Sequence, residues 1–237
     1  MPEKIKLFWW QIGHNVVPVG EWLGKRGGPL GCPLCSSPIE TLRHCLWDCP
    51  QAQKVWDRVT RLLAACEVEG TTSWSAAAWL HLSVDRWTDA VNADSWCYVC
   101  TRGRIVKIRF KRGLQPASPR FPEIWMLIAG FTLWFIWKAR CLKVFQGTVR
   151  PPEEVIMDIW FALISCLRGQ LEEVCSHSND VVTARLRFWQ KWRNTPMVMQ
   201  GGNGPRWNYQ PPRWLFPTHL PPSLRCRPQG PACTRQH

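Results

Sequence analysis

The sequence predicts a mainly α-helical protein: a small N-terminal helical domain pinned by a metal ion, a tryptophan-rich helical region after it, and a disordered C-terminal tail. Three observations carry this expectation. Apolar residues recur at helical spacing between residues 5 and 63 and again beyond 123. Residues 32–49 interrupt the first set with four metal-ligating side chains in two pairs. The last 43 residues hold nine prolines and no acidic residue, with too little periodic apolar surface to offset the entropy of ordering. The chain accordingly divides into 1–66, 67–122, 123–193 and 194–237.

The elements follow in order. Ile5, Phe8, Trp9 and Ile12 form one helical face, and Asn15 to Pro18 breaks it. Val19 to Arg26 resumes the pattern until Gly27 and Gly28 stop it. Residues 50–66 read as the clearest amphipathic helix. Pro50 suits its first turn, Val55, Trp56, Val59, Leu62 and Leu63 share a face, and Lys54, Asp57, Arg58 and Arg61 lie largely opposite. Residues 67–122 mix Gly, Ser, Thr and Pro with isolated tryptophans and read as a variable basic insertion or linker. Helices are expected at 123–146, about 152–175 and about 180–193. The second opens on Pro151 and Pro152, with Glu153 and Glu154 where the helix dipole favours negative charge. Ile124 to Trp137 is 14 residues without a charge, short of the roughly 20 a bilayer span needs. It reads as a buried core helix.

Of the 237 residues, 46% are hydrophobic and 20% charged, enough for a packed core. Twelve cysteines make about 5% of the chain, below the roughly 8–10% of a disulfide scaffold. No basic, apolar, small-residue leader opens the sequence, so reduced thiols in an intracellular setting are expected, with nucleus and cytoplasm both open. Residues 1–100 hold nine Lys/Arg and ten Asp/Glu, a net of −1, whereas residues 101–237 hold 21 and seven, a net of +14. Such asymmetry points to a polyanionic partner, with ordinary solvated charge as the plain alternative.

The strongest motif is Cys32-x2-Cys35-x8-His44-x4-Cys49. A Cys-x2-Cys pair can wrap one ion with two thiolates from a single turn, and a His and a Cys from a second short unit complete a tetrahedron. Zinc favours this N/S set, and four protein ligands make a closed structural site with no open position for water. Cys45 is an alternative to His44 as fourth ligand. Ser37-Pro38-Ile39-Glu40 reads as a capping box opening a short helix that carries His44, and Glu40, four residues earlier, is placed to orient the imidazole.

Cys32-Pro33-Leu34-Cys35, then Glu40-Thr41-Leu42-Arg43-His44 and Cys49-Pro50 with Val55-Trp56, resembles the zinc-binding domain of non-LTR retrotransposon reverse transcriptases. Phe8-Trp9-Trp10, His14-Asn15, Pro18, Trp22-Leu23 and Arg26-Gly27 resemble its helix-turn-helix lead-in, so the likeness spans about residues 5–63. More loosely, Leu133 to Arg140 with Val144-Phe145 resembles a tryptophan-rich helix that often follows the domain in plant-type elements, with Cys141 where an asparagine is usual. The resemblance implies one structural zinc and a role beside a polymerase.

No Phe/Tyr-x-Asp-Asp, G-x-x-x-x-G-K or G-x-S-x-G occurs in the chain, so no enzymatic activity is expected. Cys97-x2-Cys100 is a second thiol pair without a matching second unit, and free or buried thiols are the plainer reading. Arg102, Arg104, Lys107, Arg109, Lys111 and Arg112 form an anion-free run that alternates with Val106, Ile108 and Phe110, as in a strand. With Lys25, Arg26, Arg43 and Lys54 these are the candidate phosphate contacts. The expected partner is RNA or DNA, bound with little sequence preference, and neither a small-molecule substrate nor a membrane is expected. Two alternatives stand beside this: an inert structural or interaction fragment of a decayed retroelement, and a part of an active RNA-directed DNA polymerase.

Overall fold

The structure is a computed structural model that describes residues 1–66, 96–101, 104–109, 121–202 and 204–216. It is mostly helical, as the periodicity predicts. In chain order come α1 (Glu3–Gly13), α2 (Gly20–Gly24), a π-turn (His44–Asp48), α3 (Pro50–Ala65), β1 (Trp96–Thr101), β2 (Arg104–Arg109), α4 (Phe121–Gln146), α5 (Pro152–Ser176), α6 (Val181–Trp192), β3 (Val198–Gly201), β4 (Gly204–Trp207) and a 3-10 turn (Arg213–Leu215).

The core is one continuous body contributed by both helical regions. α1 buries Ile5, Phe8, Trp9 and Ile12, the face read from its spacing. This face packs on α4, where Phe8 meets Trp134 edge-on at 5.4 Å. The approach is close at Gly130: a Cβ there would stand 2.7 Å from Ile5 Cγ2 and 2.8 Å from Trp9 Nε1. α5 repeats its apolar residues every three to four positions, and Val155, Ile156, Ile159, Trp160, Leu163, Ile164 and Leu167 are all buried. Each such side chain contributes about 1.5–3 kcal/mol. Pro152 stands in the first turn of α5 with Glu153 and Glu154, as expected from the sequence. Arg150 clamps the preceding loop to α5 through Glu154 and Asp158. α6 is capped by Asp180, whose carboxylate accepts the Thr183 N–H at 3.0 Å; the Thr183 hydroxyl first, and then this N–H, hold the carboxyl below its ordinary value. Among the described residues no helix is long and apolar enough to cross a membrane.

β1 and β2 pair antiparallel with Trp96 opposite Arg109 and Tyr98 opposite Lys107. This is the strand read from the alternating basic run, and it has a partner strand the sequence reading did not supply. Arg102, Lys111 and Arg112 lie outside the described residues, as do 217–237.

The tail departs from expectation. Residues 195–216 are not an extended basic segment but a folded one. β3 and β4 form an antiparallel hairpin with Val198 opposite Trp207. Met197, Leu215 and Phe216 are buried. Trp160 donates its indole N–H to Asn208 O at 3.0 Å, and Trp189 packs on Trp207 with ring centroids 4.5 Å apart and planes tilted by 44°. A few large side chains, spaced without period, supply the burial that a periodicity argument looks for in a repeat.

Candidate metal centre

The Cys-x2-Cys half is a tight loop. The Cys32 N–H donates to Ser37 O at 2.8 Å and the Ser36 N–H to Cys32 O at 3.1 Å. Ser36 closes it in the left-handed region at φ 60°. The backbone N–H groups of Leu34 and Cys35 point at the Cys32 sulfur.

The second half comes from the π-turn. The Thr41 hydroxyl accepts the His44 N–H at 2.9 Å, which caps the turn at Thr41. The Cys49 N–H then donates to His44 O at 2.8 Å, an i→i+5 closure. In an α-helix of 3.6 residues per turn, a residue five positions on lies about 140° round the axis. The wider turn brings Cys49 back over His44. Cys49 also stands at the start of α3, where the N–H groups of Gln51 and Ala52 face its sulfur. Thiolates are stabilised at such helix N-termini. The indole N–H of Trp56 donates to Leu46 O at 2.8 Å and ties the π-turn to α3.

These two halves bring the ligand atoms of Cys32, Cys35, His44 and Cys49 within 4.8 Å of one another. Cys35 Sγ lies 3.2 Å from His44 Nε2, and Cys32 Sγ lies 4.0 Å from Cys49 Sγ. A tetrahedral zinc with its usual bond lengths spaces such atoms about 3.5–3.8 Å apart. The set fits zinc in both geometry and donor chemistry, and it is able to hold one zinc ion. Cys32 and Cys49 are buried, Cys35 and His44 half-buried. The hydrogen bond between Cys32 and Cys49 raises the Cys32 thiol and lowers that of Cys49. Metal binding displaces the thiol protons.

Cys45 does not join the cluster. It is fully buried, and burial, with the Glu40 charge adding, pushes its thiol well above the ordinary value. The ligand atoms that stand together are those of His44 and the other three cysteines, not that of Cys45.

Two local readings are corrected here. Ser37 does not cap a helix: its hydroxyl donates to Ile39 O at 3.2 Å, and the cap is Thr41. Glu40 does not orient His44. It is fully buried and turned the other way, toward Arg140 of α4. Arg140 Nη2 and Nε donate to the two Glu40 oxygens at 2.7 and 3.2 Å, and the Gly20 N–H donates to Oε2 at 2.8 Å. The Glu40 backbone N–H reaches Leu30 O, and its carbonyl accepts from Glu21. Burial works against the Arg140 charge, but the bonds and charge of Glu40 outweigh it and hold the guanidinium above its ordinary value. Nothing local in the sequence signals a partner 100 positions away.

The candidate cations of the zinc domain stand around this centre in different states. Lys54 is exposed and makes no ion pair among the described residues. Lys25 reaches Glu21 at 3.6 Å, Arg43 bonds Asp48 at 2.9 Å, and Arg26 lies 3.6 Å over the Trp22 ring. Arg104, Lys107 and Arg109 are placed along β2, and Cys97 and Cys100 along β1. His14 ends α1 with Nδ1 at 2.8 Å from Trp10 O.

Comparison with known proteins agrees with the donor set. The family of zinc-binding domains in reverse transcriptase matches residues 1–56. Residues 1–56 are therefore similar to the zinc-binding domain of reverse transcriptases. A putative ribonuclease H protein of Arabidopsis thaliana is 25% identical over 157 residues, covering 65% of this chain. The match takes in 20% of that relative, so the chain spans about one fifth of its length. No solved structure matches.

Proposed function

We propose that this chain is a retroelement-derived accessory module in which one structural zinc holds a nucleic-acid-binding surface, with no polymerase activity of its own. The observation that carries the reading is the closed Cys3His set inside a reverse-transcriptase-type zinc-binding domain. Four protein ligands leave zinc no site for water or substrate, so its role is to stabilise a fold. Three thiolates and one divalent ion sum to a formal −1, so phosphate must be held by surrounding cations and not by the metal. Lys54 on α3 and Arg104, Lys107 and Arg109 on β2 are the supporting set, and the basic half of the chain supplies the long-range attraction. The name of the Arabidopsis relative is in keeping with a nucleic-acid setting.

The salt bridges of Lys25 with Glu21 and Arg43 with Asp48 favour a second reading, an inert fragment whose surface charge is internally compensated. A filter-binding titration of the zinc-loaded chain with RNA and DNA at several salt concentrations separates the two. The proposal expects binding that weakens steeply with salt; absence of binding at low salt supports the inert fragment. Primer extension on the same protein should give no product, and an extended primer would overturn the accessory role.

A further inference from the structure

The folded segment that replaces the expected tail has a composition unlike the rest of the described chain. From Val181 to Phe216 there are six Lys/Arg and no Asp or Glu. Arg185, Arg193, Arg206 and Arg213 are exposed and make no ion pair among the described residues. Two of the acids that precede it in sequence are already engaged. Asp180 caps α6 and feels Arg187, and Glu172 holds Arg168 at 3.0 Å. Two aromatic side chains stand out of the same segment, Tyr209 at 52% exposure and Trp214 at 40%. Their backbone is anchored on both sides. Met197, Leu215 and Phe216 are buried, the Trp160 indole holds Asn208, and the Asn208 amide donates to Pro196 O at 3.0 Å. Arg168 on α5, which Glu172 holds, stands beside the Tyr209 hydroxyl.

Fixed cations select a polyanion by charge, and exposed rings held at fixed positions add an affinity for flat π-faces. A duplex hides its base faces within the stack; an unpaired strand presents them. We propose that residues 181–216 bind an unpaired strand of nucleic acid, with the guanidinium groups on phosphates and Tyr209 and Trp214 stacked on bases. This rests on the reading of the chain as a nucleic-acid-binding module and adds a second surface to it, on a segment whose 3-10 turn packs against α3. Because the rings are pre-positioned by buried neighbours, little ordering remains to be done on binding.

The test is fluorescence anisotropy of the full zinc-loaded chain with labelled 20-nucleotide RNA, the matching single-stranded DNA, an abasic strand of equal length, and a duplex. Unpaired RNA or DNA should bind tighter than the duplex, and the comparison of the two strands reports whether the 2′-hydroxyl contributes. Tyr209→Ala and Trp214→Ala should each weaken binding to a normal strand by about 5- to 100-fold and leave the abasic strand unaffected. Arg206→Gln with Arg213→Gln, both at exposed positions, should flatten the slope of log affinity against log salt on single strands by about 1.4. That pair keeps the question answerable if an aromatic variant fails to fold. If the chain binds nucleic acid but none of these variants changes affinity or slope, the 181–216 surface is wrong and the module reading survives. If the chain binds no nucleic acid at all, both fall. If polyglutamate competes as well as RNA and the abasic strand binds like the normal one, the surface holds acidic protein and the proposal is overturned.

Discussion

Glu40→Gln keeps the shape of the side chain and removes its charge. The wild-type carboxylate is fully buried and meets a guanidinium that is 3% exposed. Three N–H donors converge on it: two from Arg140 and one from Gly20. Glutamine can still accept one or two of these bonds, but its NH2 meets a donor where the carboxylate offered an acceptor. Arg140 is left as a buried charge without a counter-charge, a change that costs about 3–5 kcal/mol. Against a typical domain stability of about 5–15 kcal/mol, that is a large fraction. Arg140→Met should cost a similar amount by stranding the carboxylate. The double variant Glu40→Gln with Arg140→Met removes both charges. Its amide oxygen can keep the Gly20 N–H bond, which leaves the glutamine NH2 as the one orphan, at about 1–3 kcal/mol. The cycle should therefore be strongly non-additive, with the double variant more stable than either single. Urea denaturation of the zinc-loaded chain followed by tryptophan fluorescence measures all four states. A Glu40→Gln protein within about 1 kcal/mol of wild type, or a double variant equal to the sum of the singles, would refute the reasoning.

Four further outcomes follow from the metal centre, the basic strand and the α1–α4 contact. Cys35→Ser should lower zinc content below one per chain and melt residues 28–66, as read by metal analysis and circular dichroism, whereas Cys45→Ser should keep full zinc; the reverse pattern would reassign the ligand set. Acidification should release the zinc, because the three thiolates must take up protons, and the loss should be reversed on returning to neutral pH with added zinc. Replacing Lys107, Arg109 and Lys111 by glutamine should flatten the salt slope on duplex DNA by about 2–3, each lost phosphate contact removing about 0.9, and an unchanged slope would return these residues to the role of a solvated edge strand. Gly130→Ala should lower stability by about 1–3 kcal/mol in thermal or urea unfolding, since the added methyl meets Ile5 and the Trp9 indole at contact distances of 2.7 and 2.8 Å.

The parts of this structure that were legible in the sequence are those whose cause is local. The spacing of Val55, Trp56, Val59 and Leu62 repeats with the helix, and all four are buried. The Pro151–Pro152 start with Glu153 and Glu154 needs no distant information either. The four ligands were legible because metal geometry constrains their spacing. What was misread was non-local or competed with a local decoy. Ser37 and Glu40 match a capping pattern letter for letter, yet the π-turn starts later and Glu40 answers to Arg140 across the fold. The hairpin at 198–207 is held by Trp160 and Trp189 from two earlier helices, so proline content alone pointed the wrong way.

The Glu40–Arg140 pair also bears on what can be separated from what. A family boundary near residue 56 marks where likeness among sequences ends, not where the molecule can be cut. Residues 1–66 expressed by themselves would carry a fully buried carboxylate whose counter-charge stayed behind on another fragment, and would expose the apolar face of α1 that Trp134 covers. A transplantable piece must therefore run at least to the end of α4 at Gln146, and α5 packs on both α3 and α4 beyond it. A gene rearrangement that moved the zinc knuckle without that helix would deliver a metal-binding loop missing the scaffold it closes upon, so the two are expected to travel through genomes together or not at all.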